Sequence, residues 1–264
     1  MKSERAMRPW LAAGGALGLI LAFTLATLSF ADERQTEEFH RTYSLSSTGR
    51  VSLDNLNGDV HITGWDRNQV EVEAVKSVRS STLLSDVTIK VDSSPDSLHI
   101  ETRYPQRLFG ESHWRVDYRL MVPRRARLDK IGLVNGALLI QDSAGEVDGS
   151  SVNGRIRVKG LSGPVSLSAM NGTISAIYDD AGITRSLSLE TVNGSISLVL
   201  PRGTNALVRA STINGRISSE FPIAVSGGFA GRSVDGKLGS GGAAIRLRTV
   251  NGSIAIHRGT ASAN

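Results

Sequence analysis

One short string recurs through this chain and narrows what it can fold into. It reads NLNGDVHI around Asn57, LVNGALLI around Asn135, SVNGRIRV around Asn153, AMNGTISA around Asn171, TVNGSISL around Asn193, TINGRISS around Asn214, SVDGKLGS around Asp235 and TVNGSIAI around Asn251. From Asn135 onward the copies lie 18, 18, 22, 21, 21 and 16 residues apart, the spacing of a stacked repeat with loops of variable length. In the most regular part glycines fall every nine residues, at Gly136, Gly145, Gly154, Gly163 and Gly172, so each repeat has two turns. Extended upstream, the consensus is apolar, x, apolar, x, small or Thr, apolar, Asn, Gly, x, apolar, x, apolar. Both flanks have the period of two that marks a strand.

Two architectures can use this unit. Asn-Gly is a strong hairpin signal, and hairpins would give an antiparallel β-meander or sandwich. In a two-residue hairpin, however, the residue before Asn would point at water. That position holds Leu56, Val134, Val152, Met170, Val192, Ile213, Val234 and Val250, apolar in every copy. The expectation is therefore an all-β, single-chain parallel β-helix or β-solenoid: the chain bends at Asn-Gly, and residues on both sides of the corner point inward.

Equivalent residues then stack roughly 4.8 Å apart. Asn57, Asn135, Asn153, Asn171, Asn193, Asn214, Asp235 and Asn251 are expected to form a structural column, laddered through their side chains. Gly58, Gly136, Gly154, Gly172, Gly194, Gly215, Gly236 and Gly252 are expected to supply turns with positive φ, which Asn and Asp also tolerate. The glycosylation sequon matches Asn171, Asn193 and Asn251, but the repeat already accounts for these residues.

Residues 1–31 read as a secretory signal or an N-terminal membrane anchor. Lys2, Arg5 and Arg8 precede an uncharged run from Trp10 to Phe30, and small residues prepare a cut between Ala31 and Asp32. The run is also long enough to span a bilayer as a helix. Either way the remainder is expected outside the cytoplasm, periplasmic or at the cell surface. It divides into a linker (32–44), irregular N-terminal solenoid coils (45–130), regular coils (131–258) and a tail (259–264).

Composition removes several chemistries. The chain has no Cys, which excludes disulfides, thiol nucleophiles and thiolate metal sites. Without residues 1–31, Lys+Arg falls from 30 to 27 and Asp+Glu from 25 to 24, an excess too small and too scattered for nucleic-acid binding. The columns three and five residues before Asn carry no two adjacent carboxylates of the kind hydrolysis on a β-helix requires. The acidic doublet Asp179-Asp180 reads as a solvated turn. His40, His61, His99, His113 and His257 show no metal-ligand spacing. No catalytic, cofactor or metal residue is therefore expected, and no cofactor. Outward cations such as Arg155, Arg157, Arg216 and Lys237, with Arg124, Arg125, Arg127 and Lys130, could form a mildly basic sheet for an acidic surface polymer or lipid headgroups. Alternatively, they keep flat strands soluble.

With VSLDNLNGDVHITGW, a later strand closing in VP and the VNGxIxV coils in place, residues 45–258 resemble the bacterial adhesin family catalogued as domain of unknown function 4097. The resemblance implies an exported β-solenoid without established enzymatic activity and defines no functional residues. The expected function is a non-catalytic, adhesin-like interaction module of the cell envelope, its partner an envelope protein, a glycan or an anionic surface polymer. The alternatives are an extracytoplasmic carbohydrate-active enzyme and a structural or signalling component of the envelope.

Overall fold

The computed structural model describes residues 35–78, 81–104, 114–178, 185–223, 225–228 and 231–259. Ala31, Asp32, the apolar run before them and Asp179-Asp180 lie outside the described residues. Among those described there is one 3-10 turn, Ser81–Asp86, and otherwise only strand and loop; no helix is long and apolar enough to cross a membrane.

Strands are numbered in chain order. β1 (Gln35–Ser44) precedes the first Asn-Gly coil, β2 (Arg50–Asn57) and β3 (Val60–Trp65). Then come β4 (Gln69–Val78), β5 (Thr88–Ser94) and a coil without Asn-Gly, β6 (Ser97–Arg103) and β7 (Arg115–Pro123). The regular coils are β8 (Arg127–Asn135) with β9 (Leu138–Gln141), β10 (Val147–Asn153) with β11 (Ile156–Lys159), β12 (Val165–Asn171) with β13 (Ile174–Ile177), and β14 (Leu187–Asn193) with β15 (Ile196–Leu200). Last come β16 (Ala206–Asn214), β17 (Ile217–Ser219), β18 (Val225–Gly228), β19 (Gly231–Leu238), β20 (Ala243–Asn251) and β21 (Ile254–Arg258).

Each coil gives one strand to each of two sheets. Sheet A runs β1-β4-β7-β3-β9-β11-β13-β15-β21-β17 and sheet B runs β18-β19-β16-β20-β14-β12-β10-β8-β2-β6-β5. Coil-to-coil pairing is parallel and in register, Asn on Asn, so the fold is a β-solenoid with two long faces. Stacking does not follow chain order at either end. The coil β6–β7 lies outside β2–β3, and β20–β21 is inserted between β14–β15 and β16–β17. Antiparallel strands cover the ends: β1 and β4 on sheet A and β5 on sheet B at one, β19 and β18 on sheet B at the other.

This arrangement corrects two expectations. Residues 35–44 are not a linker but the edge strand β1, because Phe39 and Tyr43 find the core beside β4. Asp235 and Gly236 are not a corner either. They lie within β19, which runs antiparallel to β16, and Asp235 faces Arg209 instead of stacking on an Asn.

The core is an aliphatic double layer between the sheets. Leu167, Leu189 and Leu247 project from sheet B toward Ile174, Ile196, Leu198 and Ile254 from sheet A, each at most 1% exposed. Such strict alternation is what period two demands when one face of each sheet is buried.

The corner differs from the expected one. The residue before Asn does not point inward: Met170 is 52% exposed, Val192 42% and Ile213 56%, while Leu56, Val134, Val152 and Val250 are half-buried. Val234 is buried, but in β19 and away from any corner. The physical reason lies one residue earlier. Thr191, Thr212 and Thr249 occupy the inward position, and their hydroxyls donate to the carbonyls of Gly172, Gly252 and Gly194 at 2.9–3.1 Å. The bend comes after Asn, so strand alternation simply continues and turns the next residue out. The parallel architecture stands, although an inward-facing corner residue is not what produces it.

At the N-terminal end of the stack, the Tyr104 hydroxyl donates to Asn55 Oδ1 at 2.9 Å and to the Asn57 carbonyl at 3.2 Å. It covers the first corner, where the outer coil has no Asn. Burial raises the Tyr104 hydroxyl pKa to about 12 and pushes Tyr118 and Tyr178 upward as well. A folded value above the unfolded one, about 10, gives stability that is full below the unfolded pKa and is lost as pH rises through the folded value. Urea midpoints are accordingly expected to fall above about pH 10. Tyr178→Phe, which removes one buried hydroxyl, should flatten that fall; an unchanged slope would contradict the assignment.

Candidate functional site

Seven of the eight predicted column residues come together. In spatial order Asn57, Asn135, Asn153, Asn171, Asn193, Asn251 and Asn214 form one exposed ladder, each from Asn135 onward donating its amide N–H to the side-chain oxygen of the residue before it at 2.8–2.9 Å. The backbone is laddered beside it: Gly136, Gly154 and Gly172 N–H groups donate to the carbonyls of Asn153, Asn171 and Asn193 at 3.0–3.1 Å. Six of the seven side-chain amides donate within the ladder, so the ladder offers structure before chemistry.

The glycines act differently from the sequence expectation. The corner asparagines have no positive φ, and of the corner glycines only Gly58, Gly136 and Gly252 do, at 132–159°. What requires glycine is stacking. A Cβ on Gly154, Gly172, Gly194 or Gly215 would overlap the carbonyl oxygen of Gly136, Gly154, Gly172 or Gly252 in the adjacent coil.

Function must therefore be sought on the outer faces. Sheet B presents Ser166, Ser168 and Ser188 in its middle and cations toward its C-terminal end. There Arg209 on β16 lies opposite Arg246 on β20, with Arg248 and Lys237 on the same face. Like charges placed opposite one another repel, so the pair invites an anion. Arg209 is tied to Asp235 at 2.9 Å. Among the described residues no carboxylate lies within ion-pair distance of Arg246, Arg248 or Lys237. Arg246 also joins two shallow hollows: one lined by Leu207, Arg209, Asp235 and Gly236, the other reaching across Ser188 and Ser166 to Glu146.

The chain's charge is segregated the same way. From Leu187 to Gly259 eight Lys and Arg stand against three Asp and Glu, whereas residues 32–186 hold 19 against 21. The cations singled out from the sequence do not form one sheet. Arg124 pairs with Asp66 and Arg127 with Glu146, Arg155 and Arg157 face outward from the corner and strand of sheet A, and Lys237 lies on sheet B. Arg246 and Arg248 were visible as column members; what hid their grouping was the insertion of β20 beside β16.

A second cluster corrects the column test for carboxylates. A bulge in β8, where Lys130 takes φ 58°, adds a residue between Leu128 and Ile131. It brings Asp129 beside Asp148, which no fixed spacing reveals. Burial and the nearby Asp129 and Glu146 carboxylates raise the Asp148 pKa, although Arg50 and Arg127 hold Asp129 and Glu146 in ion pairs at 3.2 and 2.7 Å. The histidines scatter: His99 bonds Ser52, His257 bonds Glu220, His40 bonds Glu71, and His61 lines a hollow with Asp59, Arg115 and Asp117; His113 lies outside the described residues.

The sequence profile of the Toastrack DUF4097 family matches residues 44–257. The chain belongs to this family. No curated protein matches the sequence. Among solved structures the Toastrack domain is similar to a candidate cell adhesion protein from Clostridium sporogenes, 14% identical, with 85% of this chain and 100% of that one covered at a TM-score of 0.51. A candidate lipid-binding protein from Parabacteroides distasonis, 10% identical, covers 85% and 97% at a TM-score of 0.31. A candidate adhesin from Bacteroides fragilis, 11% identical, covers 83% and 97% at a TM-score of 0.25. The first of these likenesses shows a shared fold.

Proposed function

We propose that this Toastrack domain is a non-catalytic, exported, adhesin-like module of the bacterial envelope that holds an anionic surface polymer against the outer face of sheet B. Export rests on the basic-flanked apolar run before Asp32. The observation that carries the binding assignment is Arg246, opposite Arg209 and in no ion pair among the described residues, beside open hollows on a face rich in hydroxyls, with Lys237 and Arg248 on the same face and Glu190 opposite Arg248. Guanidinium groups suit carboxylate, sulfate and phosphate groups, and hydroxyls at the strand spacing offer a repeating polymer repeated contacts.

Dextran sulfate against neutral dextran tests this by calorimetry with the exported chain. Binding is expected only to the sulfated polymer, falling as salt screens the charges. The double substitution Arg246→Glu and Arg248→Glu should lower affinity at least ~tenfold, a loss of about 1.4 kcal/mol. Equal binding to both polymers, or an unaffected double variant, contradicts the assignment.

The adjacency of Asp129 and Asp148, with the raised Asp148 pKa, favours one second reading, a carbohydrate-active enzyme. It predicts shortened polymer products that disappear in Asp148→Asn; under the interaction reading the polymer keeps its length and Asp148→Asn binds as the parent does.

A further inference from the structure

The outer face of sheet A, at its N-terminal edge, brings three metal-ligating side chains together from two strands distant in sequence. His40 comes from β1, and Glu71 and Glu73 from β4. β1 and β4 run antiparallel with His40 opposite Glu73 and Thr42 opposite Glu71. Alternation along β4 puts both glutamates on the face that His40 occupies. One ligand atom from each residue lies within 4.8 Å of the others, and His40 Nε2 already stands 2.8 Å from Glu71 Oε1. The neighbouring cation is not locked: Arg119 approaches Glu73 at 3.7 Å, and its side chain is 69% exposed. It can swing away without leaving a buried charge.

One imidazole nitrogen and two carboxylate oxygens suit a borderline divalent ion, with water completing a tetrahedral or five-coordinate shell. We propose that His40, Glu71 and Glu73 bind Zn2+ and that the ion clips β1 to the sheet. β1 is where such a clip has an effect. It is an edge strand paired on one side only, largely exposed along its length, and edges of this kind open first. The proposal is independent of polymer binding on sheet B. It also explains why spacing in the sequence showed nothing: antiparallel register, not local spacing, places His40 beside residues more than thirty positions away.

The full chain supplies a control, because His257 faces Glu220 at 3.0 Å and neither residue belongs to a three-ligand group among the described residues. Calorimetry with ZnCl2 is expected to show one site per chain. His40→Ala and Glu73→Gln should each weaken it at least about tenfold, since even the loss of an outer-shell partner can cost that much; His257→Ala should leave it unchanged. Hydrogen exchange of β1 amides should slow on adding Zn2+ in the parent chain and not in His40→Ala. The His40 side chain is 61% exposed, so its replacement should leave the melting temperature in EDTA unaltered and isolate ion binding from folding. No measurable Zn2+ binding, binding indifferent to His40→Ala, or binding lost with His257→Ala would overturn the assignment, as would a bound ion that leaves β1 exchange unchanged.

Discussion

Gly172→Ala is expected to destabilise the domain by more than ~3 kcal/mol, at the upper end of overpacking costs. The added Cβ would overlap the Gly154 carbonyl oxygen in the next coil. That oxygen belongs to a corner whose Gly N–H and Asn amide are both committed to laddering, so it has nowhere to move unless two coils part. Backbone strain is not the cause, because Gly172 is not among the residues with positive φ. Gly203→Ala is the matched control: nothing lies within 4 Å of its added Cβ, and its effect should stay within about 0.5 kcal/mol. Urea unfolding measures both. Similar midpoints for the two variants would mean that the coils do not meet backbone to backbone at the Asn-Gly corner.

The second large effect separates the two sides of a strand only three residues apart. Leu189 is fully buried between the sheets, whereas Val192 is 42% exposed beside the corner. Leu189→Ala should therefore cost ~3 kcal/mol, through lost transfer energy and a cavity that a rigid stack cannot close. Val192→Ala should cost under ~1 kcal/mol, since it removes a partly hydrated side chain and leaves no hole. Comparable losses at the two positions would restore the reading in which the residue before Asn faces the core.

That pair also marks what the sequence could and could not convey. Period two and the recurring Asn-Gly identified strands, coils and the asparagine ladder, because those properties repeat locally. The apolar residue before Asn misled about direction. A hydrophobic side chain at every corner looks like a core position, but the residue before it holds that place: Leu133, Ser151 and Ala169 at three corners, and Thr191, Thr212 and Thr249 at three others, where a hydroxyl also satisfies a corner carbonyl. Asp235 kept the motif's spelling yet sits in an antiparallel strand, since pairing with β16 and not local turn preference decides its conformation. The order of coils was illegible for the same reason: it is set by which strands pair, β20 with both β14 and β16, and no local spacing encodes that.

The candidate sites were less legible because they arise between strands. Arg209 and Arg246 stand 37 positions apart in the chain, and their opposition follows from that insertion. Asp129 and Asp148 meet through a bulge, and His40 meets Glu71 and Glu73 through an antiparallel edge. Repeat columns, counted at fixed offset from Asn, cannot register insertions, bulges or reversals.

Polymer bound on the outer face of sheet B should shield that face and leave intact. Hydrogen exchange of the full chain, with and without a saturating sulfated polymer whose length is measured before and after, reports both the face that binds and the fate of the polymer. Slowed exchange in β16, β19 and β20, an unchanged sheet A and polymer of unaltered length are expected. Protection confined to sheet A, or polymer recovered in shorter pieces, would contradict that expectation.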